Sequence, residues 1–280
     1  MSTAQPFVPF TLDGASVLHQ MFRVRWAEWR NVDAATQHEI LAQAGEWLAE
    51  AENAPGGEQS ALYAMLGHKG DLMAIHFRPD FTGLLEAQGQ LQRLELAQFL
   101  DIQNSYLSVV ELGLYESTRK IYEDLQGKGL RPQTPEWEAA VEEILNRQKK
   151  AMAVRLQPEI PPARHLCFYP MDKKRGEHKN WYSVEYSRRQ AMMHEHGMIG
   201  RKYGGIVKQI ISGSIGFDDW EWGVDLFAED FTAFKQLIYE MRFDEASAVY
   251  ALFGPFYIGL RVRATGLEAF MSGETRMAVE

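Results

Sequence analysis

Apolar and polar positions alternate with a period of two from Val17 to Trp26 (VLHQMFRVRW), which predicts a strand. The period then lengthens to that of a helix between Asp33 and Ala51, where Ile40, Ala44, Trp47 and Leu48 share one face. Two further strands are predicted at Ser60–Leu66 and Asp71–Phe77, joined by the turn Gly67-His68-Lys69-Gly70. A helix from about Phe81 to Leu100 and a strand at Tyr106–Tyr115 follow, so the first half reads βαββαβ.

The second half repeats that order. Its predicted elements are a strand His165–Met171, a helix of about Val184 to His196, strands Ile206–Gly216 and Trp220–Phe227, a helix of about Phe231 to Met241, and a strand Pro255–Val262. HFRPDFT (His76–Thr82) and LFAEDFT (Leu226–Thr232) share four residues in register, at the same strand-to-helix junction of each half. The pattern predicts an α+β fold of two tandem ferredoxin-like βαββαβ domains, one spanning residues 1–125 and the other 164–280. The segment 126–163 joins them. It holds a helix capped by Thr134 with Pro135 at its first position, running to about Leu156, and then QPEIPP, too proline-rich to stay helical.

With 280 residues, 46% of them hydrophobic, the chain can bury a substantial core. Met1–Gly14 has no leader pattern and no apolar run reaches the roughly 18 residues of a membrane span, so a cytoplasmic location is expected. The single cysteine, Cys167, excludes an internal disulfide, a multi-cysteine zinc site and two-cysteine haem attachment. A net charge of −9 argues against general nucleic-acid binding, so an anionic ligand must find a local basic patch such as Lys173-Lys174-Arg175 with Lys179.

The densest cluster of candidate chemistry is AMMHEHGMIG (Ala191–Gly200). On a helix His194 and His196 point about 200° apart and cannot share one metal. His196 lies on the face of Met192 and Met193, whereas His194 lies with Gln190 and Ala191. Gly197 is a suitable residue to end the helix just after His196. A lone histidine on an apolar face is more often a core residue than a ligand. If it is a ligand, one inward imidazole suits a haem iron better than zinc. Gln209 places an amide between Val207 and Ile211, and Tyr169 shares a strand face with Cys167 and Met171 beside the basic cluster.

YPMDKKR (Tyr169–Arg175), NWY (Asn180–Tyr182), MHEHGMIGRKYGGIVKQIISGSIGFDDWEWGV (Met193–Val224) and YEMRFDEAS (Tyr239–Ser247) resemble the coproheme decarboxylases of the chlorite dismutase-like haem superfamily, in the form found in Gram-positive bacteria. SYLSVVELGLYE (Ser105–Glu116) extends a weaker likeness into the first half. The resemblance implies a chlorite dismutase-like dimeric α/β-barrel whose second domain binds porphyrin and whose first serves assembly. It implies oxidative decarboxylation, driven by hydrogen peroxide, of two propionates of iron coproporphyrin III (coproheme) to give haem b, the last step of the coproporphyrin-dependent route to haem. Coproheme is then both substrate and cofactor.

The roles implied are His196 as iron ligand and Tyr169 as the residue oxidised to a radical, with Lys173 beside the second reactive propionate. Met171 and Trp181 would line the pocket, Arg155, Arg242 and Ser247 would anchor propionates, and Trp220 would stand in or just behind the pocket. Gln209 offers a neutral donor where chlorite dismutases carry an arginine, so efficient chlorite decomposition is not expected. Asp172 departs from the serine usual after YPM; strand alternation turns it away from Tyr169 and Met171. The implied partners are further copies of the chain in a homopentamer and, transiently, the coproporphyrin ferrochelatase upstream, with neither nucleic acid nor membrane. The competing reading is a haem-binding or haem-transfer protein, or a weak haem peroxidase, without decarboxylase turnover.

Overall fold

The computed structural model describes residues 8–274 and 276. The amino-terminal segment up to Phe7 lies outside the described residues. Among the described residues there are nine strands: β1 (Thr11–Val24), β2 (Ser60–Met65), β3 (Leu72–Arg78), β4 (Leu100–Gly113), β5 (His165–Lys173), β6 (Lys208–Gly213), β7 (Trp222–Ala228), β8 (Ala251–Phe253) and β9 (Tyr257–Val262). All their ladders are antiparallel. The order β7-β6-β4-β1-β3-β2-β9-β5 is closed by pairing of β5 with β7, and β8 adds to the free end of β5.

Each half contributes four strands in ferredoxin-like order, β4-β1-β3-β2 and β6-β7-β5-β9. The halves join where β4 meets β6 and β2 meets β9, so two open sheets become one eight-stranded barrel with no edge left between them. Alternation then sorts side chains into three layers. Val17, Met21, Ile75, Phe77, Tyr106, Phe168, Ile210 and Phe227 fill the barrel. Phe22, Leu62, Leu72 and Ala74 face outward beneath the helix Ala34–Glu52, and Cys167, Tyr169, Val224 and Leu226 face outward in the second half.

The repeated HFRPDFT and LFAEDFT segments do lie at equivalent junctions. Asp80 caps the helix Phe81–Arg93 by accepting from Gly83 N at 2.8 Å, and Asp230 accepts from Thr232 N at 2.8 Å where the helix Thr232–Met241 begins. Thr134 caps Pro135–Ala151 as its sequence implies.

Several elements differ from the sequence reading: the predicted helix Phe81–Leu100 ends at Arg93, and β4 begins already at Leu100. A helix at Tyr115–Gly127 packs Ile121 and Leu125 against Trp137 and Val141; its apolar stripe is narrow and its charge high, which hides it from a periodicity reading. The helix carrying His196 does not stop at Gly197 but runs from Tyr186 to Lys202. Gly197 has no positive φ, and the chain turns only at Tyr203, before Gly204 and Gly205. Finally, the helix Leu267–Ser272 seals the first half's outer core, and Trp29 Nε1 donates to Met271 O at 3.1 Å.

Candidate active site on the outer face of the second half

The helix Tyr186–Lys202 crosses the outer face of the second half and presents His196 on its inner side, while His194 is exposed. His196 Nδ1 lies 2.9 Å from Asp244 Oδ2, and Asp244 has no exposed side-chain surface. Asp244 also caps the turn Glu245–Ala248, accepting from Ser247 N at 2.8 Å, and Ser247 Oγ donates to it at 3.1 Å. Burial pushes the Asp244 carboxyl up. The hydrogen bond and charge of His196, with both Ser247 bonds, more than reverse this and hold it below its ordinary value.

An ionised Asp244 can only accept, so the hydrogen of a neutral His196 sits on Nδ1. Nε2 is left with its lone pair on a side chain still 30% exposed. That is the arrangement a metal-binding imidazole needs. Ser247 is engaged with this pair, Oγ lying 3.4 Å from His196 Nδ1, and it also lines an adjoining cleft.

The cleft has a volume of about 570 Å³ and is lined by Lys174, Arg242, Ser247, Leu252, Phe253 and Phe256 among others. Two cations therefore face it on a chain of net charge −9. The Arg242 guanidinium carbon lies 3.8 Å from the Phe253 ring centroid, a cation–π contact that uses none of its N–H donors and leaves them for a ligand. Tyr169 forms the floor behind the aromatics, 5% exposed, with ring centroids 4.6 Å from Phe256 and 5.8 Å from Phe253. Burial, followed by Cys167, pushes its phenol above the ordinary range despite Arg242, so it is protonated at any physiological pH.

Met171 packs in the same cluster and pairs with Phe253 in the β5–β8 ladder. Lys173 is 8% exposed; its Nζ donates to Ala246 O at 3.2 Å and stands 4.5 Å over the ring of Trp181, itself buried with Met192 and Ala246. Burial pushes the Lys173 ammonium down to about 8, with Asp244 and Glu221 opposing the fall. Gln209 faces the same helix: a Cβ at Gly200 would stand 3.7 Å from its Oε1.

The structure thus gathers Tyr169, Met171, Lys173, Trp181, His196, Gln209, Arg242 and Ser247 around one helix and one sheet face. Two other sequence candidates are placed elsewhere. Arg155 is exposed on the turn Ala153–Leu156, which packs against β1 and β4. Trp220 precedes β7, so its ring is not bound by that strand's alternation. It packs against the barrel-interior cluster, close to Pro170 and Gly254.

The tryptophan opposite Met171 in the ladder is Trp222. Its Nε1 donates to Glu111 Oε1 at 3.3 Å, which brings a first-half carboxyl to this face. The sequence reading passed over Asp244: its N-cap role before EAS and its pairing with His196, 48 residues away, both emerge only from the structure. Lys174 was marked only as part of the basic patch, and the Phe253/Phe256 pair carries no motif beyond its composition.

Comparison with known proteins agrees with the architecture. A curated coproheme decarboxylase from Staphylococcus saprophyticus is 37% identical over 265 residues, covering 94% of this chain and 98% of the relative. A relative from Natronomonas pharaonis, provisionally described as a haem-binding protein, is 37% identical over 98% of this chain, and one from Haloquadratum walsbyi so described is 39% identical over 98%. The chain spans only 43% and 49% of the lengths of those two. Among solved structures, a haem-binding protein from Thermus thermophilus superimposes with a TM-score of 0.79 at 37% identity, over 95% of this chain and 98% of that one. Chlorite dismutase from Candidatus Nitrospira defluvii, at 18% identity, shares the fold with a TM-score of 0.66 over 92% of this chain and 96% of that one. The chlorite dismutase family profile matches residues 37–262, and on this and the 37% identity over nearly the whole chain, the protein belongs to the chlorite dismutase family.

Proposed function

We propose that this protein is a coproheme decarboxylase, which removes two propionate carboxyl groups from iron coproporphyrin III with hydrogen peroxide and releases haem b. The observation that carries the reading is a cleft lined by Lys174 and Arg242, with His196 joined to its wall through Ser247 and the buried phenol of Tyr169 packed behind its Phe253 and Phe256. These residues fit an iron porphyrin bearing several carboxylates: His196 Nε2 would hold the iron, the Phe253 and Phe256 rings the macrocycle, and the cations its propionates. Bound coproheme supplies the oxidising chemistry when it meets peroxide.

The side chains supply the rest. Each propionate consumes one peroxide and one proton and yields a vinyl group, carbon dioxide and two waters. Tyr169 stays a neutral phenol, so it acts by giving up its electron and proton together and never as a phenolate. Asp244 fixes the His196 tautomer, the aromatic wall limits water at Tyr169, and Gln209 offers a neutral amide to the oxidant. The Staphylococcus relative's name supports the reading, while the names of the Thermus and archaeal relatives suit the alternative of a haem-binding protein without turnover. Assembly into a homopentamer, a cytoplasmic location and handover from the coproporphyrin ferrochelatase belong to the same proposal. No helix among the described residues is long and apolar enough to cross a membrane.

Carbon dioxide release tests the reading: coproheme-loaded protein given peroxide is expected to evolve it, and a haem carrier evolves none. With chlorite, the haem-loaded protein is expected to give no rapid burst of oxygen, because Gln209 presents no cation to an anionic chlorine oxide; sustained oxygen evolution at an electrode would contradict that role. Lys173 adds a pH dependence. Its ammonium is lost as pH rises through about 8, so any propionate it holds must be bound with proton uptake above that point. Coproheme affinity is expected to fall there, by up to roughly tenfold per pH unit. Lys173→Met should flatten the profile, whereas an affinity constant across that range in the unmodified protein would remove Lys173 from the binding site.

A further inference from the structure

The basic step Lys173-Lys174 sits where the β5–β7 ladder runs out. Met171 pairs with Trp222, the first residue of β7, and no strand backbone on that edge answers the next residues of β5. Two carboxylates continue the ladder in its place. Lys173 N donates to Glu221 Oε2 at 2.8 Å, and Glu221 N donates to Asp172 Oδ1 at 2.8 Å, a reciprocal pair between neighbouring segments. Both acids are largely withdrawn from water: Glu221 is 7% exposed and the Asp172 side chain 16%. Arg175 draws them together from the solvent side, Nε 3.6 Å from Glu221 Oε1 and Nη2 4.0 Å from Asp172 Oδ2.

Two buried acids side by side lose hydration, and here two backbone hydrogen bonds and the Arg175 contacts offset that cost. What they impose is the direction of the next two side chains. With Lys173 N held by Glu221, the Lys173 side chain turns inward over Trp181 toward Ala246 O. Lys174 is pinned at both ends, its N–H to Tyr250 O at 2.7 Å and its carbonyl accepting from Trp181 N at 2.8 Å, and its side chain lines the cleft. One lysine is thereby kept under the site and the next in it: β8 holds one edge of this step, pairing Asp172 with Leu252 and Lys173 with Ala251, and the two acids hold the edge that β7 leaves open.

We propose that Asp172 and Glu221, closed by Arg175, form a clamp that positions the Lys173-Lys174 step to receive the carboxylates of the substrate. This rests on the reading of the cleft as the coproheme site. Asp172 and Glu221 are positioning residues: neither touches the ligand, and both act through the backbone of the two lysines. Asp172 is also the position at which this chain departs from the resembled motif, and in the clamp its carboxylate points to Glu221 N and Arg175 rather than at the substrate, which removes the repulsion that its charge would otherwise cause.

The clamp makes a prediction that simple packing does not. Asp172→Asn keeps an oxygen acceptor for Glu221 N, whereas Asp172→Ala removes it. In the unliganded protein, amide hydrogen exchange at Lys173 and Glu221 is expected to accelerate roughly tenfold or more in Asp172→Ala and Glu221→Ala and to stay near the original rate in Asp172→Asn. Spectrophotometric titration with coproheme is expected to show a dissociation constant raised roughly tenfold in the two alanine variants, within the range typical of lost outer-sphere support, with Asp172→Asn restoring it. Peroxide turnover per bound coproheme should change less than twofold, so the effect falls on KM rather than kcat.

Unchanged exchange and affinity in the alanine variants would overturn the clamp, as would equal losses in Asp172→Asn and Asp172→Ala, or a fall in kcat at constant KM. Absence of turnover in the unmodified protein, with binding and exchange behaving as described, would instead sink the decarboxylase reading and leave the clamp standing. Failure of the unmodified protein to bind coproheme overturns the clamp's role in substrate positioning whatever the exchange rates show.

Discussion

Tyr169→Phe is expected to bind coproheme as well as the unmodified protein and to make haem b slower by roughly two to four orders of magnitude, the span seen when a proton-transferring group is removed from an active site. The substitution deletes only the hydroxyl. The ring would keep its packing against Phe253 and Phe256 and its place in the cluster with Cys167 and Leu226, so binding and folding have no reason to change. What is lost is the one group in that wall able to surrender an electron and a proton together. Chromatography of the porphyrin after peroxide addition decides the matter. Normal haem b formation would show that the oxidised residue lies elsewhere, and loss of coproheme binding would show that Tyr169 serves as a structural support.

His196→Ala is expected to abolish the iron–histidine stretching band in the resonance Raman spectrum of the coproheme complex. Affinity is expected to change little, because Lys174 and Arg242 remain to hold carboxylates. The same substitution leaves Asp244, whose side chain has no exposed surface, with only its two Ser247 bonds. The unliganded protein is therefore expected to lose about 1–3 kcal/mol of stability in urea unfolding, the cost of stranding a buried acceptor. Adding Asp244→Asn to His196→Ala should recover part of that loss, since a neutral amide is cheaper to bury than a carboxylate. A Raman band that survives His196→Ala would mean that another residue ligates the iron, and an unchanged unfolding midpoint would mean that the Asp244 bond contributes nothing.

The two halves and their strand order could be read from the chain because each repeats one rhythm of alternating and helical periods, punctuated at the same junction by Asp80 and Asp230. The closure of the two sheets into a barrel was implied by the resemblance and not by the residue pattern. It rests on two short ladders, Val109 and Val110 with Gly213 and Ser212, and Leu62 to Met65 with Val262 to Gly259, whose partners lie more than a hundred residues apart. Glycine misled the reading once: Gly197 looked like a helix end, yet a glycine inside a helix whose side chains are anchored on both sides is tolerated at a modest cost.

At the site, faces were legible and partners were not. Alternation put Tyr169 and Met171 on one face and turned Asp172 away, and helical geometry separated His196 from His194, as the structure has them. Asp244, Glu221 and Trp222 escaped because each acts through a contact between elements distant in sequence. Trp220 and Trp222 share the same parity, and only the observed start of β7 shows which of them follows the strand. Arg155 entered through resemblance alone, and its place on an exposed turn against β1 and β4 gives it no contact within the described chain that would mark it for the cleft.

The most direct test of the whole account is mass spectrometry of the porphyrin recovered after coproheme-loaded protein has been titrated with hydrogen peroxide. Stepwise conversion to a species lacking one carboxyl group and then to haem b lacking two, with peroxide consumed once at each step, is the predicted result. Recovery of coproheme with all four propionates intact, or bleached without ordered loss of carboxyl groups, would contradict it.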